Sequence, residues 1–196
     1  LTTSLTRVGG LMADIPEGWE KGLAEFCGHF PTVLDEIETM FSRNAIWIGR
    51  TQGVGAMGRE EAINYSLSGP MLRASGVAFD MRKDKPYLGY EEYDFDVPIG
   101  EHGDIYDRYL VRMEEIRQSL RIIEQALAKL PKGPVITDDH KVALPPKSEV
   151  YSNIEALMNH FKLVYEGILT PPGEVSGSTA ADNGERGYYS VSDGTK

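Results

Sequence analysis

The sequence predicts a mainly α-helical fold with a small antiparallel β element, which is the α+β class. Three segments repeat apolar residues every three or four positions, and two strand-like segments near the end flank a polar turn. With 196 residues, of which 41% are hydrophobic, the chain can bury a core without disulfides. We predict a single domain over residues 1–196, and a partial one, because the chain opens on Leu1 rather than Met and stops just after the turn-forming pair Asp193 and Gly194.

The first helix is predicted over residues 14–43. Asp14 is placed to cap it, and Pro16 suits its first turn, where an amide hydrogen would have no helical acceptor. The apolar residues that follow at helical spacing are Trp19, Leu23, Phe26, Phe30, Val33, Ile37 and Met40. Pro31 is expected to kink this helix because it removes a backbone hydrogen bond. Cys27 falls on the apolar side, so we expect a core residue rather than a nucleophile.

Residues 44–103 are predicted to be mostly irregular, because glycines interrupt any periodic pattern. A short helix is expected over residues 59–67, and the alternating pattern of residues 90–97 predicts a strand. So long an irregular segment is uncommon unless neighbours hold it in place or it carries function.

A second long helix is predicted from its cap, Asp104, to the stop signal before Pro134. Its apolar residues at helical spacing are Leu110, Met113, Ile116, Leu120, Ile123, Leu127 and Leu130. Residues 134–147 are polar and rich in proline, so we predict an internal loop. Ser148 is placed to cap a third helix that Gly167 would end. The fold is predicted to finish with a β-hairpin over residues 173–193, turning at Asp182, Asn183 and Gly184.

Charge and composition exclude several classes of function. A net charge of −10 argues against nucleic-acid binding, which needs an excess of lysine and arginine. No stretch approaches the roughly 20 apolar residues of a membrane-spanning helix, so membrane contact is expected to be peripheral or made through other subunits. One cysteine cannot ligate an iron-sulfur cluster. The four histidines lack the helical spacing of a zinc peptidase, so no metal site is predicted; they are His29, His102, His140 and His160.

The densest group of charged residues in the irregular segment contains Arg73, Asp80 and Arg82. Planar guanidinium groups suit buried ion pairs with carboxylates, or polar contacts to a partner subunit. One interpretation is that Asp80 pairs with an arginine merely to hold the loop; the other is a role in the environment of a redox site. On the second helix, the charged residues fall mostly at spacings that allow ion pairs along one face, as on a solvated or subunit-facing surface; they are Asp107, Arg108, Arg112, Glu114, Glu115, Arg117 and Arg121.

A series of short motifs runs through nearly the whole sequence in a fixed order. They include Arg7-Val8-Gly9-Gly10, Asp14-Ile15-Pro16, Arg73-Ala74-Ser75-Gly76-Val77, Asp80-Met81-Arg82-Lys83, Phe95-Asp96-Val97-Pro98, Tyr106-Asp107-Arg108, His160-Phe161-Lys162, Pro171-Pro172-Gly173-Glu174 and Val191-Ser192-Asp193-Gly194. In order and spacing these motifs resemble the D subunit (49 kDa subunit) family of respiratory complex I, the proton-translocating NADH:quinone oxidoreductase. That family is related to the large subunit of nickel-iron hydrogenases.

The resemblance implies a hydrogenase large-subunit-like helical core that helps to form the quinone-reduction chamber. The chamber would lie beside a terminal 4Fe-4S cluster held by a neighbouring subunit, with NADH bound by other subunits and no cofactor bound by this chain. The expected partners are the other peripheral-arm subunits, above all the one that carries the cluster, together with quinone. The expected location is peripheral, on the cytoplasmic face of a bacterial inner membrane or the matrix face of the mitochondrial one.

The family's quinone-contacting residues precede the matched region, so the resemblance implies no catalytic or quinone-binding residue within this chain. Four matched residues are candidates for a cluster-facing or subunit-facing interface, namely Arg7, Arg73, Asp80 and Arg82. Three positions depart from the family pattern. Thr2 stands where some members have a histidine linked to protonation near the cluster, so the resemblance implies no such redox-linked proton here. Ser176 stands where tyrosine is common and Ala180 where glutamate is common, so we expect a hairpin that is less well packed or has drifted.

Two other functions stay open. The chain could be a non-catalytic scaffold or assembly paralogue of the same fold, or part of the large subunit of a related hydrogenase-type membrane complex driven by another donor. In every case we expect the isolated chain to have no quinone reductase activity, because the implied quinone-contacting residues lie outside it.

Overall fold

A computed structural model describes residues 5–195. Helices make up about 47% of the chain, accompanied by two small antiparallel sheets, which confirms the predicted fold class. Contacts within the chain define two compact units. The larger comprises Glu20–Leu130 and Gly177–Tyr188; the other comprises Leu1–Trp19, Pro131–Ser176 and Tyr189–Lys196. The prediction of a single partial domain stays a prediction.

The core of the larger unit lies between two long helices, α1 (Trp19–Phe41) and α6 (Ile105–Ala128). Cys27 and Leu34 of α1 are buried against Met113 and Leu120 of α6, so Cys27 is a core residue as predicted. The partly buried residues around them are Leu23, Phe30, Ile37, Tyr109, Ile116 and Ile123. Removal of these apolar faces from water is the main force that joins the two helices.

The ends of the long helices differ from the prediction. The first was expected to begin after Asp14 but begins at Trp19, because Gly18 adopts a left-handed backbone conformation with φ of 81° that interrupts a helix. It continues through Pro31 without ending. The cap of α6 is confirmed, since the Asp104 side chain accepts a hydrogen bond from the amide of Asp107. That helix ends at Ala128, about a turn earlier than predicted.

Four short helices and one 3-10 turn occupy the segment predicted to be irregular. The helices are α2 (Ala45–Thr51), α3 (Arg59–Asn64), α4 (Gly69–Ala74) and α5 (Met81–Asp84), and the 3-10 turn is Tyr90–Glu92. Only α3 was predicted. The strand predicted over residues 90–97 is wrong. After the 3-10 turn, the amides of Asp94 and Asp96 donate to side-chain oxygens of α6 instead of to a second strand.

The smaller unit contains the short strands β1 (Thr6–Arg7) and β2 (Gly10–Leu11), which pair antiparallel. Gly10 also bridges to Ile136 in the predicted loop, where a Cβ at Gly10 would lie 2.2 Å from the Val135 carbonyl oxygen. The single third helix predicted from Ser148 is wrong. It is divided into α7 (Lys147–Val150) and α8 (Ile154–Tyr165), because Asn153 caps a new helix through the amide of Glu155.

The final hairpin consists of β3 (Gly173–Ala181) and β4 (Gly184–Ser192), joined by the two-residue turn Asp182 and Asn183. Its turn region packs within the larger unit. A Cβ on Gly69 of α4 would lie 2.5 Å from the Gly184 Cα atom. The two backbones therefore approach closely only because both positions are glycine.

Candidate functional site

Three of the four candidate residues lie together in the larger unit. Asp80 is 1% exposed and binds Arg82 in a fork, with Arg82 Nε 3.0 Å from Oδ1 and Nη2 2.6 Å from Oδ2. The second arginine, Arg73 of α4, lies 3.5 Å from Asp80 Oδ2 through Nη1. Its Nε donates to Glu115 Oε1 at 2.7 Å, and its Nη2 contacts the same oxygen. We call these four residues the buried ion cluster.

Backbone contacts fix the buried ion cluster from both sides. The carbonyl of Arg73 accepts the amide of Gly100 at 2.9 Å, and a Cβ on Gly100 would lie 2.7 Å from the Ala74 carbonyl oxygen. On the other side, Asp80 caps α5 by accepting the amide of Arg82 at 2.9 Å. The Asp80 carboxylate therefore caps α5 and also neutralises the guanidinium groups of Arg82 and Arg73.

The electrostatics of the cluster favour the charged forms. Burial alone would raise the pKa of Asp80, but hydrogen bonds from Arg82 and the positive charges of Arg82 and Arg73 hold it below its ordinary value. The hydrogen bond to Asp80 raises the pKa of Arg82 in turn. The carboxylate stays ionised at neutral pH, so it is not available as a general acid.

A cavity of about 250 Å³ lies beside the cluster. Its lining residues include Arg82, Tyr90 and Ser119 and, from the hairpin, Ala180. Burial raises the pKa of Tyr90 above its ordinary value, so its phenol is protonated at neutral pH. With both arginines engaged by carboxylates, this arrangement holds backbone segments in place and presents no activated nucleophile or base.

The fourth candidate, Arg7, is not part of this cluster. It lies in β1 of the smaller unit, is exposed, and donates through Nη2 to the sulfur of Met12 at 3.2 Å. An interface role for all four candidates stays a prediction. Thr2 lies outside the described residues. Ser176 is exposed in β3, and Ala180 donates its amide to the Tyr87 hydroxyl at 2.8 Å.

The charged residues of α6 bind other elements more than one another. Arg117 donates to Glu38 of α1 at 2.8 Å, and Arg121 pairs with Asp94 and Asp96. The i,i+3 pair of Arg117 with Glu114, at 3.7 Å, is the one within-helix ion pair of α6 in the described part of the chain. Burial of Glu115 at Arg73 was missed because 42 residues separate them and spacing along one helix cannot indicate such a partner.

Two aspartates, Asp104 and Asp107, lie at the start of α6. Asp104 accepts the amides of Asp107 and Gly53, at 2.8 and 2.7 Å, and Asp107 accepts the amides of Glu101 and His102. Burial would raise the pKa of Asp104, but these backbone hydrogen bonds lower it below its ordinary value. Asp104 thus caps α6, and Asp107 holds two amides of the preceding loop, so both carboxylates have structural roles.

The chain's own residues do not fit an iron-sulfur cluster. Cys27 is 3% exposed within the helical core, and a cluster needs several accessible thiolates. Across residues 5–195, no group of three or more histidine, cysteine or acidic side chains is arranged to hold a metal ion. Of the helices in the described part of the chain, none combines the length and the apolar character needed to cross a membrane.

The comparison with protein families defines the class of protein. The family model for the 49 kDa subunit of respiratory-chain NADH dehydrogenase matches residues 1–196, and the chain belongs to this family. The resemblance inferred from the motifs is therefore confirmed.

Individual relatives give a closer description. The D subunit of NADH-quinone oxidoreductase from Myxococcus xanthus (strain DK1622) is 55% identical over 194 residues, which are 99% of this chain and 47% of that protein. The D subunits from Geotalea uraniireducens (strain Rf4) and Methylacidiphilum infernorum (isolate V4) are each 50% identical, over 195 and 193 residues. These matches cover 100% and 98% of this chain, and 50% and 46% of the two proteins. The chain spans about half the length of these relatives.

Proposed function

We propose that the chain forms part of the subunit that encloses the quinone-reduction chamber of a proton-translocating NADH:quinone oxidoreductase. The observation that carries this proposal is 55% identity over 99% of the chain to the D subunit of an NADH-quinone oxidoreductase. The chamber would lie beside a 4Fe-4S cluster held by a neighbouring subunit, and NADH would bind elsewhere in the complex. Location on the cytoplasmic or matrix face of the membrane belongs to the same proposal.

The contribution of this chain to the reaction would be rigidity rather than chemistry. The described side chains include a buried ion cluster whose charges are paired, and a helical core that contains the one cysteine. A chamber that holds a quinone near an electron donor needs walls that keep their geometry, because electron and proton transfer depend on distance. Ion pairs between elements, such as that of Arg73 with Glu115, would keep the walls of the chamber in place.

A segment exchange tests the proposal. The matching half of the D subunit from Myxococcus xanthus is replaced by this chain, and NADH-dependent quinone reduction is measured in membranes per assembled complex. We expect assembly and turnover within a few-fold of the unmodified enzyme, whereas the isolated chain should show none.

The outcomes separate the competing functions. Normal assembly without quinone reduction would favour the scaffold paralogue, and failure to assemble would contradict membership of this enzyme. If the native complex accepts electrons from reduced ferredoxin but not from NADH, the hydrogenase-type alternative is correct.

A further inference from the structure

The turn of the final hairpin contains the one asparagine of the chain that glycine follows, in the pair Asn183 and Gly184. This dipeptide is chemically labile, because glycine has no side chain to keep its amide nitrogen away from the asparagine carboxamide. Asn183 is exposed, whereas Gly184 is buried. The contacts of the turn therefore decide whether the two groups can react.

The reaction is deamidation, and it needs only water and hydroxide. The Gly184 nitrogen gives up its proton to hydroxide and attacks the side-chain carbonyl carbon of Asn183. The new C–N bond closes a succinimide ring, while the side-chain nitrogen takes a proton from water and leaves as ammonia. Water then opens the ring at either of its carbonyl groups. The products are aspartate and isoaspartate, and in isoaspartate the backbone runs through the former side chain.

Both reacting groups are held by other elements of the larger unit. Arg112 of α6 donates through Nη2 to Asn183 Oδ1 at 2.9 Å and through Nη1 to the Asp182 carbonyl at 3.3 Å. On the other side, a Cβ on Gly69 of α4 would lie 2.8 Å from the Gly184 nitrogen. Ring closure requires this nitrogen and the carboxamide to rotate out of these contacts toward each other. The docked turn therefore opposes the reaction.

Two backbone amides beside the turn report whether it is docked. The amide of Glu185 donates to the Ser68 hydroxyl oxygen at 2.8 Å, and the amide of Ala180 donates to the Tyr87 hydroxyl oxygen at 2.8 Å. Both acceptors belong to the larger unit but not to the hairpin. When the turn leaves α4 and α6, the two amides lose these acceptors. Their hydrogen exchange therefore measures docking independently of the deamidation.

We propose that Asn183 is a deamidation site controlled by docking of the hairpin turn, which reacts when the turn leaves α4 and α6 and is protected while Arg112 and Gly69 hold it. The two products differ in their effect. Aspartate keeps the oxygen that Arg112 binds and gains a charge that strengthens the pairing. Isoaspartate adds a methylene to the backbone of a two-residue turn, whose length fixes the register of β3 and β4, so it displaces Gly184 from Gly69. A local opening of the hairpin thus becomes permanent.

The test follows conversion of Asn183 in the complete subunit at mildly alkaline pH by peptide mass spectrometry, with an isoaspartate-specific methyltransferase to distinguish the two products. We expect conversion in the urea-unfolded subunit to be at least about tenfold faster than in the folded one. Arg112→Ala should raise the folded-state rate at least about fivefold, because hydrogen bonds from a charged donor are lost. Arg186→Ala is the matched control, since Arg186 is an exposed arginine of the same hairpin with no hydrogen bond or ion pair among residues 5–195. Its rate should stay within about twofold of the parent.

Three results would overturn the inference. Equal rates in the folded and unfolded parent would mean that docking gives no protection, and this comparison stands even if the Arg112 variant does not fold. An unchanged or slower rate in Arg112→Ala, with the amides of α6 still protected from exchange, would mean that Arg112 does not restrain the site. The separated isoaspartate product should lose protection at the Ala180 and Glu185 amides, and retained protection would mean that the turn stays docked. The reaction involves no other subunit, so these outcomes do not depend on the proposed function.

Discussion

Replacement of Asp80 by asparagine tests whether the buried ion cluster stabilises the larger unit. Asparagine keeps an oxygen that can cap α5 but removes the charge that neutralises Arg82 and Arg73, whose side chains are 15% and 7% exposed. Loss of one partner from a buried ion pair costs about 3–5 kcal/mol. Because the cap is kept and Glu115 still pairs with Arg73, we expect Asp80→Asn to lower the free energy of unfolding by about 3 kcal/mol.

The two tryptophans of the chain allow this cost to be measured in the larger unit alone. With Trp19→Phe as background, Trp47 is the sole tryptophan, and its ring lies 5.7 Å from Tyr109 of α6. Urea unfolding followed by Trp47 fluorescence then reports this unit. The control is Asp94→Asn, which removes a carboxylate that is 76% exposed and should cost less than about 1 kcal/mol.

The effect of Asp80→Asn should depend on pH in one direction. The folded-state pKa of Asp80 is lowered, so its charge contributes stability that is complete above the ordinary value of 3.8 and is lost as pH falls through the folded-state value. The cost of the substitution should therefore be constant near neutral pH and shrink in acid. A cost below about 1 kcal/mol at pH 7, or one that grows in acid, would refute this account of the cluster.

Two further predictions concern close packing and the extended segment. Gly69→Ala should destabilise the protein by at least about 2 kcal/mol more than Gly53→Ala in the same urea assay. Both glycines have positive φ, but only at Gly69 would a Cβ meet another backbone, at 2.5 Å. Equal costs would contradict the close approach of α4 to the hairpin. Gln125→Ala removes the acceptor of the Asp94 amide, so hydrogen exchange at that amide should accelerate while the amides of α6 stay protected. Unchanged exchange would show that another group accepts the Asp94 amide.

No strand forms over residues 90–97, but the alternating pattern correctly indicated which side chains of residues 94–96 are buried. Alternation of polar and apolar residues indicates extended backbone, and Phe95 is buried while Asp94 and Asp96 are exposed, as in a strand. The amides of these two aspartates bind Gln125 and Gln118, which repeat at helical spacing on α6. A period of two reports which side chains face inward, but it carries no information about which group accepts the backbone hydrogen bonds.

Helix starts were mispredicted for a related reason. Asp14 and Ser148 both have side chains that can cap a helix, and the residues after them are apolar at helical spacing. The helices begin instead after Gly18, whose left-handed conformation ends the preceding turn, and after Asn153, which caps α8. Several residues near a helix start can cap it, so the choice depends on backbone geometry that the tertiary contacts decide.

The buried ion cluster shows how far a local cluster of charges can be interpreted. The density of Arg73, Asp80 and Arg82 along the chain was sufficient to predict that they pair, because short separation limits their possible partners. Glu115 could not be found this way, since its charge also fits pairing along α6. Once Glu115 is included, the cluster joins α4, α5 and α6. Asp80 caps α5 and at the same time pairs with Arg73 of α4, and an apolar side chain could do neither, which gives the buried charges a reason to be kept.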